Sequence, residues 1–236
     1  MLVEVARAGV ERAELRVVAL GDVTARQLRQ RDHEAQKVDR VHVELLAQIC
    51  SEVGRPASRR LREDFCGTGM LSCHWVSTHP ENTALGLDLD PEPLAYGRKT
   101  HMRALRPGQR SRVSLVRENV MTVGPGRFDV VVAGNFSFFI FKKRGELLKY
   151  FRKVRGSLAT GGVVVLEMAG GPGMTAALRE TRRIAIPGVG KVLYTWHQRS
   201  FDPITHDARY SIHFRLPDGR RLNDADRKST RLNSSH

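Results

Sequence analysis

Between Arg60 and Met168, short apolar runs alternate with stretches of helical length, and this alternation constrains the fold more than any other feature of the chain. Arg60–Asp64, Thr83–Asp88, Val113–Val116, Phe128–Ala133 and Val163–Met168 read as strands. Met70–His79, a segment opened by Asp90-Pro91-Glu92, and Arg144–Leu158 read as helices. Proline and an acid directly after Asp90 form a good helix start, because the first turn has free N–H groups and tolerates a residue without one. The near-continuous apolar run at Phe128–Ala133 suits a strand covered on both faces. Strand–helix–strand alternation implies right-handed crossovers, and so an α/β fold with a doubly wound, mostly parallel sheet.

The flanks follow other patterns. Thr24 to about Val53 reads as a helix, with Val38, Val41, Leu45, Leu46 and Ile49 at three- and four-residue spacing and Gly54-Arg55-Pro56 as its stop. Leu15–Leu20 fits either a strand or a turn of helix. Beyond Gly173, Lys191–Phe201 and Arg209–Leu216 alternate apolar and polar residues around Asp202–Asp207, which predicts an antiparallel β-hairpin. Residues 226–236 are polar and non-periodic, and they match a reading frame of a common sequencing-library adapter. The expected organisation is an uncertain segment at 1–23 and one domain at 24–225. Its core lies at about 60–171, its hairpin at about 191–216, and a foreign tail follows at 226–236. On that expectation the natural chain continues beyond this one.

Composition narrows the function classes. No apolar run reaches membrane-spanning length, and Glu4, Glu11 and Glu14 are wrong for a signal peptide. Cys50, Cys66 and Cys73 are too few and too irregular for a disulfide framework, so a cytoplasmic setting is expected. The net charge of +14 raises nucleic acid as a partner. However, the basic residues are scattered and lack interleaved aromatics for base stacking, so nucleic acid is the less favoured partner.

In an open α/β sheet, ligands bind beyond the carboxyl ends of the strands. The loop after the first core strand carries Gly67 and Gly69, which let a ligand approach the backbone, and it leads into a helix start with free N–H groups. An acid ending the next strand, Asp88, suits a bidentate grip on two ribose hydroxyls.

With these residues in view, Glu63-Asp64-Phe65-Cys66-Gly67-Thr68-Gly69 resembles the acidic-x-Gly-x-Gly-x-Gly motif of class I S-adenosylmethionine-dependent methyltransferases. Together with Arg62 and Asn135-Phe136-Ser137-Phe138, it resembles an uncharacterised bacterial group within them. The resemblance implies a Rossmann-like sheet and S-adenosylmethionine as cofactor. It places Asp88 at the ribose, and Asn119 with its neighbours Glu118 and Val120 at the adenine. Asn135 then lies beside the reacting methyl. The implied contacts are Glu63, Phe65, Cys66, Gly67, Thr68, Gly69, Asp88, Leu89, Asn119, Val120 and Asn135, with a small-molecule methyl acceptor and no nameable catalytic residue. The first motif glycine is Phe65 here, so either the turn is made differently or the cofactor carboxylate sits further out. The resemblance also implies seven strands, the last two an antiparallel pair. Only five core strands and the hairpin are legible, which predicts a bare edge on the fifth and a weakly stable or poorly soluble chain.

Gly67-Thr68-Gly69 carries two glycines of a dinucleotide fingerprint, but Ser72 stands at the third and Glu63 would repel a pyrophosphate, which disfavours an NAD(P)-dependent oxidoreductase. A non-catalytic S-adenosylmethionine-binding module is the other alternative. Cys66, Cys73 and His74 lack a second ligand pair, so no metal site is expected. His197, His206 and His213 on the hairpin read as surface histidines or a substrate base, Trp196 as core, and Glu167 as a weaker base candidate. Substrate choice is expected to come from the N-terminal helix and the late hairpin.

Overall fold

The computed structural model describes residues 3–8, 15–20, 35–122, 124, 128–168, 175–186 and 190–231. These group into two compact units. The first holds a seven-stranded sheet built from β1 (Val3–Ala8), β2 (Leu15–Leu20), β3 (Arg60–Asp64), β4 (Thr83–Asp88), β5 (Val113–Arg117), β6 (Phe128–Ala133) and β7 (Leu158–Glu167). Their order across the sheet is β1-β2-β7-β6-β3-β4-β5. The pairs from β2 to β5 are all parallel, and β1 alone runs antiparallel, against β2. The doubly wound, mostly parallel sheet expected from the sequence is therefore present.

The expected bare edge is not. Leu15–Leu20 resolves as a strand, and it runs parallel to β7 with Arg16 opposite Val163 and Leu20 opposite Glu167. β1 then covers β2, with Val3 opposite Leu20. The chain's own first residues occupy the edge, so the ground for predicting weak stability falls away.

Among the described residues, five α-helices lie between the strands: α1 (Ala35–Glu52), α2 (Met70–Thr78), α3 (Pro91–Gly97, continued by a wide turn at Arg98–Met102), α4 (Pro107–Arg110) and α5 (Arg144–Ser157). Residues 24–34, the start of the helix predicted from Thr24, lie outside the described residues. Period-two alternation sorts the strand side chains between two layers. Leu61, Val130, Val132, Val163 and Val165 pack with Val43, Leu46, Ile49, Trp75 and Val76 of α1 and α2. On the opposite face, Arg62 and Asp64 meet Tyr150 and Ser157 of α5. β7 begins earlier than its apolar run suggests. Gly161, at φ +69, sits where the register against β6 shifts, so Leu158 still pairs with Phe128.

The second unit carries a four-stranded antiparallel sheet, β8 (Leu178–Ile186), β9 (Gly190–Phe201), β10 (Asp207–Arg215) and β11 (Arg221–Arg231), in chain order. The predicted hairpin is its inner pair, with Trp196 stacked on Tyr210 at 5.3 Å between ring centroids. Residues 226–231, set apart by their sequence, form the second half of β11, with Asp226 opposite Ile212 and Arg231 opposite Asp207. The outer strands are too charged to show an apolar period. Their pairing rests on backbone hydrogen bonds, which need none.

Candidate cofactor site at the carboxyl ends of the strands

Three residues in the loop after β3 have positive φ: Phe65 at 59°, Gly67 at 55° and Gly69 at 65°. Phe65 therefore makes the turn in the conformation a glycine would use, at a steric cost of about 1–2 kcal/mol. Its ring lies 6.1 Å from that of Tyr150. The turn is thus made in the ordinary way with an unusual residue.

The loop is pressed from below and open above. A Cβ on Gly69 would fall 2.2 Å from a methyl of Leu115, and one on Gly97 of α3 would fall 1.9 Å from the Thr68 carbonyl oxygen. A Cβ on Gly67 would meet nothing within 4 Å. Gly69 and Gly97 therefore serve packing, whereas Gly67 presents bare backbone to open space. The Cys66 N–H donates to the Leu87 carbonyl at 2.9 Å, which fastens the loop to β4.

The acids around the loop divide their work. Asp88 at the end of β4 accepts from the Gly67 N–H through Oδ2 at 2.7 Å and from the Asp90 N–H through Oδ1 at 2.9 Å. Each oxygen keeps a further lone pair for a hydroxyl donor. Glu63 accepts from both the N–H and the hydroxyl of Ser72 through Oε2, at 3.0 and 2.6 Å, and so caps the first turn of α2 from the neighbouring strand.

Asp64, next in sequence, is completely buried with Arg62. Arg62 donates to both carboxylate oxygens of Asp64, at 2.6 and 3.1 Å, and Tyr150 adds a hydroxyl at 2.8 Å. Burial pushes the Asp64 carboxyl up, while Arg62 and Tyr150 act in the other direction. Burial and the Asp64 charge hold the Tyr150 phenol well above its ordinary value. A single acid satisfies the loop motif, so the motif alone does not reveal this pair. Its sequence signal is the single Arg62-x-Asp64 spacing, which puts both charges on one face of a strand that is otherwise largely buried.

At the far side of the loop, the Glu118 N–H donates to the Asp88 carbonyl at 3.0 Å, so the exit of β5 is tied to the end of β4. Asn119 accepts from the Met121 N–H through Oδ1 at 2.9 Å. Val120 is buried, and its carbonyl accepts from Arg62 at 3.1 Å. Leu89 and Val116, at the ends of β4 and β5, are 59% and 38% exposed. Two apolar side chains at this rim remain available to a flat apolar ring.

Asn135 and Phe136 follow β6, both at φ 51°. Asn135 is exposed, and its backbone N–H donates to Oε2 of Glu167 at 2.8 Å. Glu167, buried at the end of β7, thus supports this unusual turn. Trp196, His197, His206 and His213 belong to the second unit. Among the described residues, no group of His, Cys, Asp and Glu has the arrangement of a metal site. Cys66 and Cys73 are buried, and burial followed by the Glu63 charge pushes the Cys73 thiol up to about 12, an inert group. A shallow cleft lined by Arg55, Ser58, Asp129 and Thr160 lies at the opposite, amino ends of β6 and β7.

Comparison with known proteins agrees with this geometry. Residues 66–164 match the family described as a methyltransferase domain. No curated protein matches the sequence. Among solved structures, the sugar N-methyltransferase KedS8 from a Streptoalloteichus species is similar at 21% identity, over 96% of this chain and 85% of that one, with a TM-score of 0.65. Streptomyces venezuelae DesVI is similar at 22% identity, over 84% and 79%, with a TM-score of 0.66. The S-adenosylmethionine-bound amino pentose methyltransferase CalS10 from Micromonospora echinaspora is similar at 20% identity, over 90% and 84%, with a TM-score of 0.67. The match covers 99 of the chain's 236 residues, and the likeness to these structures shows a shared fold. Among the described residues, no helix is long and apolar enough to cross a membrane.

Proposed function

We propose that this protein methylates a small-molecule acceptor, with Gly67, Asp88 and Asn119 holding the donor over the loop that Gly69 packs in place. The observation that carries the reading is the pairing of an open, left-handed Gly67 with Asp88, whose carboxylate anchors that glycine and keeps lone pairs for a ribose. S-adenosylmethionine, when bound, supplies an already activated sulfonium methyl. The protein's own task is alignment, worth up to about 7–11 kcal/mol where reactants are well oriented.

The residues present fit that group. Phe65, Cys66 and Thr68 shape the loop around Gly67, and Glu63 holds the helix start beneath it. Leu89 and Val120 flank the adenine position, and Asn135 stands at the acceptor side with Glu167 fixing its backbone. A general base is required only for an acceptor protonated at working pH, so a fixed catalytic residue is not demanded. A small acceptor is supported by the similar structures, which include a sugar N-methyltransferase and an amino pentose methyltransferase. Three buried free thiols support a cytoplasmic setting.

The test is transfer of a tritiated methyl from the donor to a panel of amino sugars, other small amines and small alcohols. Labelled product from any of them supports the proposal. Saturable donor binding without transfer across the whole panel would make the chain a non-catalytic binding module instead.

A further inference from the structure

Arg62 and Asp64 occupy positions between β3 and α5 where apolar side chains would serve packing equally well, as Val131 and Val164 do on the neighbouring strands. A buried ion pair is costly to desolvate, and apolar replacements are often neutral or stabilising. What a guanidinium adds is a rigid, planar fork that can hold several elements at fixed angles. Here Arg62 donates to Asp64 on its own strand, to Ser157 Oγ on α5 at 3.0 Å, and to the Val120 carbonyl at 3.1 Å. Ser157 in turn donates to the Val154 carbonyl at 2.7 Å, and Tyr150 fixes the far oxygen of Asp64. The network lies directly beneath Phe65, the first residue of the glycine loop.

We propose that Arg62 is a positioning residue, which holds the 118–122 segment at a set distance from the glycine loop and so determines how strictly the site reads its purine. The inference rests on the donor-site reading above, with Asn119 at the adenine. The other bonds of this segment are local or run to β4: Thr122 N–H to the Asn119 carbonyl, Met121 N–H to Asn119 Oδ1, and Glu118 N–H to Asp88. The bond from Arg62 adds a tie to the centre of the sheet. Without it the segment keeps its local turn but gains freedom relative to Gly67, and discrimination by Asn119 weakens.

The test compares binding of S-adenosylhomocysteine with that of S-inosylhomocysteine, which carries a 6-oxo group in place of the 6-amino group. Calorimetry is run on the full chain, on Arg62→Lys, and on the triple variant Arg62→Met, Asp64→Leu, Tyr150→Phe. Lysine keeps the charge and loses the fork, whereas the triple variant removes the charges in an apolar form that remains compatible with folding. The preference of the parent for the adenosyl ligand should fall by about tenfold in both variants. Partial unfolding lowers both affinities alike and leaves their ratio unchanged, so a merely structural role does not move this readout. A ratio in the triple variant that stays within about threefold of the parent would overturn the proposal while leaving the donor site intact. Failure of the parent to bind S-adenosylhomocysteine would overturn the donor-site reading together with it.

Discussion

The carboxylate of Asp88 accepts the backbone N–H of Gly67 at 2.7 Å, which joins the end of β4 to the loop that follows β3. Twenty-one residues separate them in sequence, yet each defines the other's geometry. Gly67 holds a left-handed conformation with open space above it, and Asp88 keeps that backbone in place while offering its remaining lone pairs outwards. The acid is therefore both part of the loop's scaffold and a candidate ligand group.

The two loop glycines should respond differently to a methyl group. Gly69→Ala adds a Cβ within 2.2 Å of Leu115 at a φ of 65°, so overpacking and backbone strain combine. A loss of about 2–5 kcal/mol in folding stability is expected from urea melts. Adding Leu115→Ala should relieve the clash but not the strain. Gly67→Ala meets no neighbour and should cost only about 1–2 kcal/mol, while donor affinity falls because the open face is filled. Equal losses of stability in the two single variants would contradict the packing argument.

Asp129 gives a pH dependence at the other end of the strands. Burial alone would raise its carboxyl, but bonds from the Arg60 guanidinium and from the N–H groups of Arg59 and Arg60 outweigh this and hold it below its ordinary value of 3.8. A depressed carboxyl stabilises the fold above the unfolded value and loses that contribution as pH falls through the folded one. The stability gap between the parent and Asp129→Asn should therefore be full near pH 7 and shrink below about pH 4. A gap that grows on acidification would show the sign to be wrong.

Arg112 closes the end of α2. It donates to the carbonyls of Val76, His79 and Asn82, and through Nε to Gly108 at 2.9 Å. Charged hydrogen bonds of this kind contribute about 1.5–3 kcal/mol, so Arg112→Ala should lower stability by about 2–3 kcal/mol. Arg112→Lys should recover less than half, because an ammonium cannot span four carbonyls in one plane. Full recovery by lysine would reduce the role to charge alone.

The central sheet was legible because β3 to β7 are apolar runs bounded by turn signals, and period and punctuation survive in any single sequence. Gly67, Gly69 and Asp88 were legible for a related reason, since a tight loop and a strand-end acid leave residue-type marks. β1, β8 and β11 were hidden, because edge and antiparallel strands rely on backbone pairing that charged side chains neither reveal nor prevent, whereas Leu15–Leu20 fits strand and helix alike until its pairing with β7 decides it. The Arg62–Asp64 pair was hidden by its own composition. Charged residues read as solvent-facing by default, and only the packing of α5 against β3 shows these two to be the most buried charges near the loop. Phe65 was seen as a departure, but its left-handed backbone could not be read from its residue type.

Calorimetric titration of S-adenosylmethionine into the full chain, with Asp88→Ala as the comparison, tests the central claim most directly. One saturable site is expected in the parent and an affinity at least about tenfold weaker in the variant, from the loss of a charge-assisted bond of about 1.5–3 kcal/mol. A folded parent that takes up no donor, or a variant that binds as tightly as the parent, would contradict it.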